Sequence, residues 1–173
     1  MPTRKEIQDS LVESQKEIIT YFQGLSPEAR EKPCTESGVA GEAPWRAKDH
    51  LAHLTANEQD VQTLLRRVLE GDKSLPGNLG AMSREDMIAW RDQSNQTYVN
   101  AHRDDSMETL FADVVEARQQ TLALLEQFTD EQLAEPAGGM FGADRTVGDM
   151  FIANVQHEAQ HVAWTEEGFR QGL

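Results

Sequence analysis

Apolar residues recur every three or four positions along five stretches of the chain, the spacing that places them on one face of a helix. In the first stretch, Thr3 and Glu6 have the spacing of a capping box, and apolar positions from Ile7 to Leu25 follow them. Helix start signals and helix-ending residues bound the other stretches in the same way. The predicted helices cover about residues 3–23, 44–70, 83–102, 106–128 and 146–171.

No stretch alternates apolar and polar residues in the manner of a half-buried strand, so we predict an all-α fold. Long helices joined by loops, without internal repeats, favour a helical bundle with at least one longer connection. Two linkers that contain glycine and proline, residues 32–43 and 135–145, are predicted to border a cavity.

The length of 173 residues predicts a single domain over residues 1–173. Thirty acidic residues against sixteen basic ones give a net charge of −14, which predicts no nucleic-acid partner and no attraction to anionic membranes. No apolar run approaches the roughly 20 residues that cross a bilayer, and the charged N-terminus does not resemble a secretory signal. Cys34 is the only cysteine, which suits a reducing compartment, and we expect the protein to be cytoplasmic.

His157 and His161 lie four residues apart in the last predicted helix, within the sequence HEAQH, so their imidazoles stack on the same face. That face is expected to point into the bundle, because it carries the stripe Val147, Met150, Asn154, His157, His161 and Trp164. Two inward histidines at this spacing favour the binding of one divalent metal ion. The alternative is a pair of neutral core histidines, each hydrogen-bonded to a neighbouring polar side chain.

A third ligand is expected from the second helix, where His50 and His53 lie beside the apolar face. Helical phase alone favours His50, which lies nearer the centre of that face. Three protein ligands leave coordination positions for water or substrate, as in catalytic metal sites. HEAQH also matches the zinc-protease pattern H-E-x-x-H, but Trp164 and Glu167 stand where the extended motif has glycine and histidine, and no predicted strand could align a peptide.

Trp45 lies eight residues before His53 in PWRAKDHLAHL, and together with HEAQH in the last helix this pattern resembles the DinB-like superfamily. The resemblance extends over most of the chain and implies a DinB-like four-helix bundle with additional short helices and two longer loops. It also implies His53, His157 and His161 as the metal ligands, and so favours His53 over His50. The ion is expected to be divalent, with zinc or nickel as the leading candidates.

That superfamily includes the mycothiol-dependent maleylpyruvate isomerase N-terminal domain and the bacillithiol transferases. The resemblance therefore implies a metal-dependent transferase that uses a low-molecular-weight thiol on a small electrophilic substrate. PTRKEI and LAHL are also similar to the colibactin-resistance branch, which implies metal-dependent hydrolysis or resistance as an alternative. A non-enzymatic bundle that binds a small ligand or a protein is the third interpretation. The resemblance also implies a homodimer, although the weakly apolar third helix offers no clear interface here.

Polar neighbours are predicted to orient the histidines through hydrogen bonds to the second ring nitrogen. These neighbours are Asp49 and Asn57 beside His53, and Asn154, Glu158 and Gln160 beside the other pair. Glu158 is also a candidate catalytic base. The tryptophans Trp45, Trp90 and Trp164 are candidates for the cavity wall. Aromatic residues at helical spacing more commonly lie in the core, which is the alternative location.

Overall fold

The computed structural model describes residues 2–138 and 144–172. The helices in these residues are α1 (Arg4–Gly24), α2 (Pro27–Arg30), α3 (Ala47–Leu69), α4 (Arg84–Ala101), α5 (Met107–Leu125), α6 (Asp130–Ala134) and α7 (Val147–Gln171), with a 3₁₀ turn at Leu79–Ala81. Two short strands, β1 (Pro33–Thr35) and β2 (Trp45–Arg46), pair antiparallel.

Helices α1, α3, α5 and α7 form a four-helix bundle, in which α1 and α3 each contact both α5 and α7. Helix α4 lies outside the bundle and packs on α3, burying only Gln96 and Val99. The predicted all-α bundle with additional short helices is therefore confirmed. Within the described ranges, no helix combines the length and the apolar composition that crossing a bilayer requires.

Capping interactions set several of the helix boundaries. Thr3 and Glu6 form the predicted capping box, in which the backbone N–H of Thr3 donates to the Glu6 carboxylate at 2.7 Å. The fourth predicted helix ends at Leu125, earlier than expected, and Thr129 then starts the separate helix α6 through a capping box of its own.

The prediction that the chain contains no strand is wrong at residues 33–35 and 45–46. Thr35 pairs with Trp45 and Pro33 with Arg46, so α3 begins later than the sequence predicted. The carboxylate of Asp49 accepts the backbone N–H of Arg46 at 2.8 Å and starts the helix there. Strands of two or three residues have too few positions to show an alternating pattern.

The core of the bundle consists of two apolar clusters with a buried polar layer between them. One cluster includes Leu11, Leu65 and Phe151, and the other includes Ile18, Leu51 and Val114. Along the four helices, the buried polar residues that separate the two clusters are Ser14, Glu58, Arg118, Thr121 and Glu158.

Arg118 is fully buried and joins the other three helices in this layer. Its Nε donates to Glu58 at 2.7 Å, and its Nη2 donates to both Glu58 and Glu158. Its Nη1 donates to the backbone carbonyl of Leu11. Each carboxylate also accepts a hydrogen bond from a hydroxyl group: Ser14 donates to Glu158, and Thr121 donates to Glu58. Buried charges need partners of this kind, so the layer determines which faces of the helices turn inward.

We expect Arg118→Met to lower the free energy of unfolding by about 3–5 kcal/mol at pH 8, because it leaves two buried carboxylates without their cation. Burial raises the pKa of Glu158, so the folded variant binds protons more readily than the unfolded chain. The free energy of unfolding of the variant should therefore fall further below that of the parent as the pH rises from 5 to 8. Urea unfolding at both pH values measures this loss.

The matched control is the triple variant Arg118→Met, Glu58→Gln, Glu158→Gln, which also removes both carboxylate charges. It should recover part of the stability and lose the pH dependence. A loss below about 1 kcal/mol in Arg118→Met, or one that is equal at both pH values, would contradict the role assigned to the layer.

Strand β1 lies against α7 at Gly168. A Cβ atom at this position would overlap the backbone carbonyl of Cys34, and no side-chain movement could relieve that overlap. Glycine is therefore required here by the close approach of the two backbones. This contact holds Cys34 and Thr35 against the helix that carries His157 and His161.

We expect Gly168→Ala to lower the free energy of unfolding by at least about 2 kcal/mol, because the added methyl group forces β1 away from α7. Gly24→Ala is the matched control, since nothing lies within 4 Å of a Cβ there. The control should leave stability unchanged or raise it by up to about 1 kcal/mol. Equal urea midpoints for the two variants would disprove the close approach.

Candidate metal site

Three imidazoles meet between α3 and α7. The structure brings together His53 from α3 with His157 and His161 from α7. Nε2 of His157 lies 3.4 Å from Nε2 of His53 and 3.0 Å from Nε2 of His161. One ring nitrogen of each histidine lies within 4.8 Å of the other two. These are the three residues that the resemblance implied as ligands.

The spacing of these nitrogens suits a divalent ion. Zinc binds imidazole nitrogen at about 2.0–2.1 Å, which puts two ligands of a tetrahedral site about 3.3 Å apart. The two distances from His157 Nε2 are close to that value. A single proton can join only two of the three nitrogens, whereas an ion accepts a lone pair from each. The donor set and its spacing therefore fit a metal.

The histidines present the neutral form that binds metals. Burial and, to a smaller extent, the neighbouring His157, His50 and Arg91 lower the pKa of His53 to about 3. Burial, together with the positive charge of Arg91, lowers the pKa of His157 to about 4. Burial also lowers the pKa of His161, and the neighbouring imidazoles add to this effect. At neutral pH each ring therefore keeps a lone pair available.

His50 lies behind the three histidines. It is fully buried, as its helical phase predicted, and its Nδ1 lies 2.7 Å from Nδ1 of His161. Its Nε2 lies 2.8 Å from the hydroxyl oxygen of Thr35. His50 therefore contacts the ring nitrogen of His161 on the side away from His157. Helical phase identified the more buried histidine, but His53 is the one whose imidazole meets the other pair.

Four of the five polar residues predicted to orient the histidines have other partners, and the fifth, Gln160, lines the cavity. Asn57 donates to Asn154 at 3.0 Å, so these two amides bind each other. The Asp49 carboxylate binds the Arg46 side chain at 2.9 Å at the start of α3. Asn154 reaches Asn57 from a helix distant in sequence, so proximity to His53 could not show that contact. Arg46, by contrast, lies only three residues before Asp49.

The inward face of α7 differs from the predicted stripe at two positions. Glu158 is buried, and its carboxylate is bound by Arg118 in the polar layer. Trp164 is 43% exposed, although the stripe predicted it to be inside. Hydrophobic periodicity treats a glutamate as surface and a tryptophan as core, so it could not find a charge drawn inward by a buried arginine.

A cavity of about 620 Å³ has the histidines in its wall. Trp45 and Trp164 line it, with ring centroids 5.2 Å from His53 and 4.8 Å from His161. Trp90 is 47% exposed and is not among the lining residues. Two of the three tryptophans therefore border the cavity.

The first linker forms part of the cavity rim, as predicted for residues 32–43, through Cys34, Thr35, Glu36 and Gly38. The prediction is wrong for the described part of the second linker, which does not line the cavity. This linker joins the N-terminal end of α7, about 15 Å along the helix from His157. Residues 139–143 of the linker lie outside the described residues.

The charged cavity residues Arg91, Asp92 and Asp60 were not predicted from the sequence. Arg91 is the one positively charged side chain among the described residues that line the cavity, and it pairs with Asp92 at 2.8 Å. Asp60 also lines the cavity, where its side chain is exposed. Asp60 lies seven residues after His53, two helical turns along the same face, and this spacing could have identified it.

His102 lies at the end of α4 and does not line the cavity. Its Nδ1 pairs with Asp105 at 2.8 Å. Together with Asp113, these two residues form the other group of described side chains close enough to share an ion. Replacing His102 therefore affects only the second group, which distinguishes the two groups in a metal-binding experiment.

Solved structures with this fold have low sequence identity to the chain. The colibactin self-resistance protein ClbS, in complex with double-stranded DNA, matches with a TM-score of 0.72 and 16% identity, over 96% of each chain. An uncharacterised protein from Escherichia coli UTI89 matches with a TM-score of 0.70 and 16% identity, over 99% of this chain and 95% of that one. A protein from Streptococcus pneumoniae matches with a TM-score of 0.70 and 15% identity, over 96% and 90%.

The DNA complex of ClbS corrects one expectation from the sequence. The net charge of −14 predicted no nucleic-acid partner, and that prediction is wrong, because a protein with this fold has been crystallised with double-stranded DNA. Net charge is a sum over the whole chain, whereas a nucleic acid contacts one local surface.

The family follows from the sequence match. No curated protein sequence matches the chain. The family model described as the DinB superfamily matches residues 42–165, which is more than half of the chain. The matched region begins before β2 and includes His53, His157 and His161. The resemblance carried by the two histidine motifs is confirmed, and the chain belongs to the DinB superfamily.

Proposed function

We propose that this chain, acting as one domain, is a divalent-metal-dependent transferase that adds a low-molecular-weight thiol to a small electrophile. The observation that carries the proposal is the convergence of three neutral imidazoles in the wall of an open cavity. In this proposal His53, His157 and His161 hold zinc or nickel, and the cavity receives the substrates. Three protein ligands are the arrangement of catalytic zinc sites, which keep a position open.

The nucleophile in this scheme comes from solution. Cys34 is buried, and burial raises the pKa of its thiol, so it stays protonated and unreactive. Glu158 is held by Arg118 and Ser14, which favours a structural role over that of a base. A divalent ion at the three histidines would supply Lewis acidity that lowers the pKa of a bound thiol.

The reaction proposed is a substitution at an electrophilic carbon. The thiol loses its proton, its sulfur forms a bond to the carbon, and the leaving group departs with its electron pair. The thiol proton passes to water in the open cavity, and Trp45 and Trp164 form apolar walls for the electrophile. The guanidinium of Arg91, which also pairs with Asp92, is the cation that an anionic group of either substrate would meet in the cavity.

A hydrolase or resistance function is the second candidate, because the fold of the colibactin self-resistance protein ClbS is similar. Water would then replace the thiol as nucleophile. The complex of ClbS with DNA makes double-stranded DNA a ligand to include in any binding screen of this chain. A non-enzymatic binding protein would retain the cavity without turnover.

We expect elemental analysis of protein purified without a metal-affinity tag and exposed to zinc to find about one ion per chain. His53→Ala and His157→Ala should lose the ion, because each removes one of three ligands. His102→Ala should keep it and serves as the matched control for losing a histidine. Protein that takes up neither zinc nor nickel would remove the basis of the proposed function.

We expect the zinc-loaded protein to accelerate the reaction of cysteine with 1-chloro-2,4-dinitrobenzene roughly tenfold or more at pH 7. Lowering a thiol pKa from about 8.5 to about 7 raises its thiolate fraction by about that factor. Mass spectrometry identifies the S-aryl product, and a reaction without thiol measures hydrolysis. Acceleration only in the absence of thiol would favour the hydrolase, and none in either reaction would favour the binding protein.

A further inference from the structure

We propose that Thr35 and His50 are positioning residues, which hold His161 in the tautomer that binds a metal ion through Nε2. The inference rests on the proposed metal site and extends it to two residues that are not ligands. Neither residue is adjacent in sequence to a histidine of the site. Their role follows from a chain of hydrogen bonds that leads from the imidazole of His161 to β1.

The two ring nitrogens of His161 have different surroundings. Nε2 faces Nε2 of His157 at 3.0 Å, on the side where the three histidines meet. Nδ1 faces Nδ1 of His50 at 2.7 Å, and Nε2 of His50 lies 2.8 Å from the hydroxyl oxygen of Thr35. His50 and His161 are both buried, so water does not compete readily for these atoms.

The positions of the protons follow from this geometry once His161 is a ligand. Binding through Nε2 puts the single proton of the neutral ring on Nδ1, which then donates to Nδ1 of His50. His50 must then carry its own proton on Nε2, which donates to the Thr35 oxygen. Each link has one donor and one acceptor, and no charged ring is required.

The contacts of Thr35, at the far end of this chain of hydrogen bonds, favour the same direction of donation, from His50 to the Thr35 oxygen. The Thr35 hydroxyl can donate to the sulfur of Cys34 at 3.9 Å, and the Cys34 thiol can donate to the backbone carbonyl of Trp45 at 3.6 Å. A carbonyl only accepts hydrogen bonds, so this end of the chain requires a donor. The Thr35 oxygen is thereby left to accept from His50.

The backbone holds Thr35 in place for this role. Thr35 pairs with Trp45 across the two strands, and the carbonyl of Cys34 rests against Gly168 of α7. The hydroxyl is therefore fixed relative to both helices that carry the histidines. Within the described residues, Nδ1 of His53 and Nδ1 of His157 have no such partner, so His161 is the ring whose orientation this chain determines.

Zinc titration of Thr35→Val against Thr35→Ser tests the proposal. Valine keeps the shape of threonine but cannot accept a hydrogen bond, whereas serine can. We expect Thr35→Val to bind zinc roughly 10- to 100-fold more weakly than the parent, the usual effect of removing a residue that orients a metal ligand. Thr35→Ser should restore most of that loss. Urea unfolding of the metal-free variants measures any effect on folding separately.

The outcomes distinguish this inference from the proposed function. A parent protein that binds no zinc would overturn both. A parent that binds zinc, with Thr35→Val binding it equally tightly, would overturn the positioning role alone. Equal weakening in Thr35→Ser would also overturn it, because the hydroxyl would then not be the group responsible.

Nuclear magnetic resonance of the zinc-loaded parent keeps the proposal testable if Thr35→Val does not fold. Long-range nitrogen–proton correlation of the histidine rings reports which nitrogen carries the proton. We expect the proton on Nδ1 in His161 and on Nε2 in His50. A proton on Nδ1 of His50 would reverse the chain and overturn the proposal.

Discussion

The bundle depends on one buried cation. Arg118 has no exposed surface, and it binds two carboxylates and a backbone carbonyl that belong to the three other bundle helices. Rotating any of these helices about its axis would separate buried charges from their partners, at a cost of several kcal/mol. The arginine therefore fixes the rotation of the helices as well as their association. Glu158 and His161 lie three residues apart on α7, so the contact that turns Glu158 inward also turns His161 inward.

The position of His53 depends on the same layer. Glu58 binds Arg118 from α3, five residues after His53, and thereby fixes the face that α3 turns toward α7. The three imidazoles come from two helices that are distant in sequence, and neither helix contains the site alone. The short β1–β2 pair supplies the remaining constraint, because it brings Thr35 to the back of His50. The site thus combines a charge layer inside the bundle with a strand pair at its edge.

Sequence patterns predicted the features of the fold that depend on contacts between residues close together in the chain. The capping box of Thr3 and Glu6, the helical periodicity and the stacking of His157 and His161 each involve residues within one or two turns. The same reasoning failed where a distant contact decides. The strand at 33–35 exists through its pairing with 45–46, Glu158 is inside through Arg118, and Asn57 binds Asn154 of another helix. The choice of His53 over His50 came from resemblance to a family, because periodicity measures burial and cannot tell which imidazole reaches a partner helix.

The placement of α4 outside the bundle separates two tasks within the fold. Helix α4 contributes Arg91, Asp92 and Asn95 to the cavity, but its packing is chiefly on α3 and it supplies none of the three histidines. Changes in its sequence or tilt alter the width and charge of the cavity while the imidazoles stay fixed by the bundle. Substitutions confined to this single peripheral helix can therefore reshape the cavity and change its charge without disturbing the arrangement of the three imidazoles.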